Sequence, residues 1–119
     1  MSCSTIRCCT YNVYGRGKFN EQRLENIIDN ILEPQNPDII CLQEASIDII
    51  NGIQEKLTDY HTVTSVQILE ERKMINEDDL DCVRAAAYLS IFSKFPIKEY
   101  ELTLKDNYID KGIIKVVLN

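Results

Sequence analysis

The chain has 119 residues, 45% hydrophobic and 27% charged, which is enough for one small domain with an ordinary buried core. Its net charge of −6 and dispersed lysines and arginines disfavour non-specific binding to nucleic acid, which calls for a basic stripe. No run of about 18 apolar residues is present to span a bilayer. The N-terminus, MSCSTIRCCTYNV, lacks a basic flank followed by an apolar stretch, so it predicts no signal peptide and a cytoplasmic protein. Cys3, Cys8, Cys9, Cys41 and Cys82 form no C-x-x-C pair, and the single histidine, His61, cannot complete a zinc set. Buried free thiols are the expectation.

Residues 5–13, TIRCCTYNV, carry apolar or small side chains on both parities and predict a strand covered on both faces. The loop YGRGK follows, punctuated by Gly15 and Gly17. From Asn20, a good N-cap, the positions Leu24, Ile27, Ile28, Ile31 and Leu32 repeat as the apolar stripe of a helix that Pro34 should end. The continuous apolar run DIICLQ predicts a buried second strand, and Glu44 stands at its end. Ser46 is placed to cap a second helix over residues 48–57, with Ile49, Ile50, Ile53 and Leu57 facing inward.

The alternating, β-branched YHTVTSVQI, residues 60–68, predicts a third strand. Residues 70–82 read as a solvated loop; Asp78, Asp79 and Asp81 lack the glycine and spacing of a calcium-binding loop. Strands are expected at 85–93, 98–104 and 113–119, with a turn at KFPI. The order β-α-β-α-β-β-β-β predicts layered α/β packing. The last run stops at Asn119 without cap or polar tail, which reads as a cut strand with an unpaired edge over 113–118.

Chemistry in α/β sheets gathers beyond the carboxyl ends of strands. Asn12 and Glu44 both stand at such ends. If the two strands are parallel neighbours joined by the first helix, both side chains open into one crevice. A carboxylate beside an amide suits Mg²⁺, a hard cation that keeps several waters. The plain alternatives are a surface glutamate and an asparagine serving turn chemistry.

Three segments in order, TYNVYG (10–15), PDIICLQEA (37–45) and LSIFSKFPI (89–97), resemble the endonuclease/exonuclease/phosphatase superfamily. That superfamily includes DNase-I-like nucleases, inositol-phosphate phosphatases and neutral sphingomyelinases. The resemblance implies a four-layer αββα sandwich, of which residues 1–119 would be the N-terminal half. It implies Glu44 as the Mg²⁺ (or Mn²⁺) ligand, Asn12 as a partner in metal and phosphate binding, and Gln43 as a support. It further implies hydrolysis of a phosphate ester, in a phospholipid such as sphingomyelin or in nucleic acid.

Two positions depart from the family pattern: Tyr88 replaces a frequent glycine, and Tyr14 an acid found in some nucleases. Lys111-Gly112 is similar to a segment of the sphingomyelinase branch. The family's D-x-N motif and terminal D-H pair have no counterpart here, and His61 does not match the catalytic histidine in position. Half a catalytic site is therefore expected, inactive by itself. The alternative is a shortened relative that binds a partner without catalysis.

Overall fold

The computed structural model describes residues 5–13, 21–75, 88–106, 108 and 111–119. Among the described residues, six strands in two sheets combine with four α-helical segments and one π turn, an α/β architecture as expected. Strands β1 (Cys8–Asn12), β2 (Ile39–Ala45), β4 (Tyr88–Ser93) and β3 (His61–Thr64) make a mixed sheet in the order β1-β2-β4-β3. β1 and β2 run parallel, and β4 is antiparallel to both β2 and β3. Strands β5 (Ile97–Leu104) and β6 (Gly112–Leu118) pair antiparallel in a second sheet.

The connection from β1 to β2 is helical, as a parallel pair requires. It consists of α1 (Glu21–Ile27), a widened π turn (Ile28–Leu32) and the short α2 (Glu33–Gln35). Ile27, Ile28 and Leu32 are buried, and Leu24 and Ile31 pack beside them, so the predicted stripe is the buried one. Pro34 does not end the helix, contrary to expectation. In a regular α-helix its ring would strike the carbonyl of Asn30, four residues back. The π turn just before it, where the Glu33 N–H donates to the Ile28 carbonyl five residues back, lets the chain continue to Gln35. Asn36, in the left-handed region at φ 43°, stops it and donates to the Leu32 and Glu33 carbonyls. The predicted cap Asn20 lies outside the described residues.

Helix α3 (Ile47–Lys56) starts where predicted: Ser46 Oγ accepts from the Ile49 N–H at 3.3 Å, and Ile49, Ile50 and Ile53 are buried. Its Gly52 comes into close contact with Leu24 of α1, so the two helices meet where no side chain intervenes.

Two expectations need correction. The strand predicted over 60–68 stops at Thr64, and residues from Ser65 form α4 (Ser65–Glu71). The deciding contact is a cap, Thr64 Oγ1 accepting from the Gln67 N–H at 3.0 Å. Once capped, Ser65, Ile68 and Leu69 fall at helical spacing and are all buried. The second correction concerns β1, predicted to be covered on both faces. It is the edge of the sheet among the described residues, and Cys8, Thr10, Tyr11 and Asn12 are exposed. Of the strand predicted over 85–93, residues 85–87 lie outside the described set, as do Tyr14, Cys3, Cys82 and the aspartates at 78, 79 and 81.

The core is continuous. Ile40 and Leu42 of β2 and Phe92 of β4 meet the apolar faces of the first helical segments and α3. The β5–β6 sheet joins it through Leu102, which is 3% exposed. Arg72, just after α4, donates through Nη2 to the Leu102 carbonyl at 2.7 Å and fastens the two parts. The β6 edge carries exposed Ile113, the expected apolar edge.

Candidate functional site

The parallel register sets Asn12 directly opposite Gln43, and the Val13 N–H donates to the Gln43 carbonyl at 3.0 Å. Asn12 and Glu44 therefore emerge at the same end of neighbouring strands, one residue apart in level. This meets the condition set for a shared crevice, that the two strands be parallel neighbours. Strand spacing of about 4.8 Å puts the two backbones within reach of one small ligand.

Glu44 is not an ordinary strand residue. Its φ is +55°, in the left-handed region, although it is not a glycine. The pairing of β2 with β4 slips there: Leu42 faces Ser90, but the next pair is Ala45 with Tyr88. Glu44 thus sits in a β-bulge, a device that re-aims a side chain at the rim of a sheet. Holding a side chain in that region costs on the order of 1–2 kcal/mol. The result is a half-buried carboxylate whose Oε2 is fully buried and has no hydrogen-bond partner among the described residues. A buried carboxylate oxygen without a donor is costly, and coordination to a cation is one way to relieve the cost.

Gln43, the residue before it, is well tied. Its Nε2 donates to Thr10 Oγ1 at 2.9 Å and to the Cys41 carbonyl at 3.2 Å. Tyr88 is brought to this same end of the sheet, opposite Ala45, with 1% exposure. On sequence grounds it stood out only as a departure from the family's glycine; the antiparallel pairing of β2 with β4 is what places it here.

Other sequence features lie elsewhere. His61 is exposed and pairs with Ser93, which in turn pairs with Ile39 at the start of β2. Five residues of strand separate that level from Glu44, about 16 Å at strand rise. The segment SKFPI is at the same far end. Lys94 N–H donates to the Asp38 carbonyl at 2.9 Å and Lys94 Nζ to Asn36 Oδ1 at 2.7 Å. Buried Ser93 accepts from the Phe95 N–H at 3.0 Å. That motif closes the base of the sheet and does not touch the crevice.

A groove of about 630 Å³ is also remote. It runs between α1 and α3 and is walled by carboxylates such as Glu21, Glu25 and Asp48. Neither Asn12 nor Glu44 lines it. Geometry and bonding at the bulge mark the site better than concavity does. Among the described residues, no three His, Cys, Asp or Glu side chains come together as a metal cage. A single carboxylate is still enough for Mg²⁺, which is held by one or two carboxylates together with waters and substrate phosphate.

A strand ending in Asn beside a strand ending in L-Q-E is the pattern that the resemblance implied; the bulge was no part of it. The family model of the endonuclease/exonuclease/phosphatase family matches residues 9–117. This chain belongs to that family. Membership brings phosphoester chemistry in general, and enzymes of the endonuclease/exonuclease/phosphatase family generally use divalent metals. No curated protein matches the chain. No helix among the described residues is long and apolar enough to cross a membrane.

The thiols have simple surroundings. Cys8, Cys9 and Cys41 are free, and burial pushes Cys41 and Cys9 above the ordinary thiol value, Cys41 further helped by its neighbours Cys8 and Cys9. They sit low on the β1–β2 ladder, below Asn12 and Glu44.

Proposed function

We propose that residues 1–119 are the metal- and phosphate-binding portion of a Mg²⁺-dependent phosphodiesterase or phosphatase, with Glu44 as metal ligand and Asn12 as phosphate-orienting group. The observation that carries this reading is the buried Oε2 of Glu44, without a partner among the described residues, on a left-handed bulge. The fold accepts both costs at one residue, and a bound cation relieves the larger one. When bound, the cation draws negative charge off the phosphate and so acts as a Lewis acid. Glu44 supplies the hard oxygen that holds it, and Mn²⁺ fits the same donor. Asn12, exposed at the tip of β1, presents an amide able to donate to a phosphate oxygen.

Hydrolysis also needs a base for the attacking water. His61, the chain's one histidine, stands at the wrong end of the sheet. A base from outside the described residues would complete the site. The net charge of −6 favours a phosphodiester on a lipid headgroup or small molecule over a polyanionic nucleic acid. The glycine of the Lys111-Gly112 segment has a local reason to be there. A Cβ on Gly112 would lie 2.5 Å from the Thr103 carbonyl oxygen of the paired strand. That segment adds nothing to the choice of substrate.

The test is Glu44→Gln, which keeps shape and removes charge. Mn²⁺ titration by electron paramagnetic resonance is expected to show affinity reduced at least about 10- to 100-fold, the range for losing even supporting groups. The far-ultraviolet spectrum should be unchanged. Wild-type Mn²⁺ affinity in this variant would remove Glu44 from the role.

A further inference from the structure

We propose that Thr10 and Gln43 act as a cross-strand clamp that sets the position of the Asn12–Glu44 pair, making both positioning residues for cation binding; this rests on the reading of Glu44 as a ligand.

β1 is held through one edge only among the described residues, and four of its five residues, Asn12 included, are exposed. Edge strands held by a single ladder fray first, and Asn12 is the last residue of this one. The clamp meets that weakness where it matters. Gln43 is Asn12's cross-strand partner and Glu44's chain neighbour. Its Nε2 reaches back to Thr10 Oγ1 at 2.9 Å and also to its own strand at the Cys41 carbonyl, 3.2 Å away. Two donated bonds fix the plane of the amide and leave it one orientation. Thr10 lies two residues before Asn12 on the same face of β1, so the bond ties the face that carries Asn12 to the residue that precedes the bulge. The left-handed turn at Glu44 begins immediately after the clamped residue. Any twist of Gln43 is passed to the carboxylate directly, and any retreat of β1 carries Asn12 away from it.

A bond between an exposed threonine and a half-buried glutamine with no bearing on the site would differ from a clamp in what its loss does to a bound cation. Thr10→Val keeps the β-branched shape suited to a strand and removes only the hydroxyl. With the full chain and Mn²⁺ alone as probe, Thr10→Val is expected to weaken binding about 3- to 10-fold, the worth of one ordinary hydrogen bond. Thr10→Ser should restore it. Gln43→Met, equally long but without a donor, should weaken binding too, and the double variant should be no worse than Gln43→Met alone, because either change already breaks the clamp. Gln43→Met also reads the clamp should Thr10→Val not fold. Wild-type Mn²⁺ affinity in Thr10→Val, measured beside a Glu44→Gln variant that has lost it, overturns the clamp and leaves the ligand reading standing. Wild-type affinity in Glu44→Gln overturns both.

Discussion

The two ends of the mixed sheet are built to opposite rules. At the amino end of β2, the polar groups are paired off. Asp38 Oδ2 accepts from the Arg7 N–H at 2.9 Å, and the Arg7 carbonyl accepts from Asp38 and Ile39 N–H at 2.8 and 3.1 Å. The Tyr60 hydroxyl donates to the Pro37 carbonyl, and Lys94 lies 5.8 Å from the Tyr60 ring while bonded to Asn36. At the carboxyl end, the ladder slips, a glutamate takes a conformation suited to glycine, and its buried oxygen has no donor among the described residues. The same strand, β2, carries both. Its far end is spent on stability and its near end carries strain and an unpartnered oxygen, which is how strain becomes informative about function.

The largest test of that contrast is at the satisfied end. Tyr60→Ala removes a half-buried ring, its bond to Pro37 and the surface under Lys94. It is expected to lower stability by about 2–3 kcal/mol in urea denaturation. A loss of a few tenths would mean that this end is not the anchor. A smaller change of opposite sign is expected at the strained end. Glu44→Gly relieves the left-handed penalty and the orphaned oxygen, and offsets part of that gain with a more flexible unfolded chain. Without divalent cation it should stabilise the protein by about 1 kcal/mol, with cation binding lost. A glycine variant less stable than the natural protein would show that Glu44 contributes packing that outweighs its strain.

Much of this contrast was legible in the sequence, and the reasons for the failures are physical. The run IICL followed by Gln43 and Glu44 placed a carboxylate at a strand end, and the helical stripe from Leu24 to Leu32 implied the parallel crossover that brings Asn12 beside it. The bulge was not legible, because a register slip depends on β4, a strand more than forty residues later. Nor was the exposure of β1. CCTYN has the composition of a buried strand, and nothing local says which neighbours it has. The residues TSVQIL alternate well enough for a strand and repeat well enough for a helix; Thr64 decided in favour of α4 by capping it. The motif SKFPI was rightly part of the family pattern, but its place at the far end required the antiparallel pairing of β4.

The smallest effect is a pH dependence, and it sharpens the account of the satisfied end. Burial raises the Tyr60 phenol above its ordinary value, and the nearby Asp38, Asp59 and Cys9 raise it further. The neutral phenol is the form that can donate to the Pro37 carbonyl. In the unfolded chain the same phenol titrates near its ordinary value of about 10. The folded value is the higher one, so this group's contribution is fully present below about pH 10 and is lost as pH rises through the folded value. Tyr60→Phe keeps the ring and removes the titration. Below about pH 9 it should be less stable than the natural protein by a constant amount, roughly 0.5–1.5 kcal/mol for the lost hydrogen bond. Above about pH 10 the gap should narrow, because only the natural protein is still losing this contribution. A gap that stays constant from pH 7 to 11 would mean that the Tyr60 hydroxyl feels neither the burial nor the neighbouring carboxylates, and that the far end is held by its backbone bonds alone.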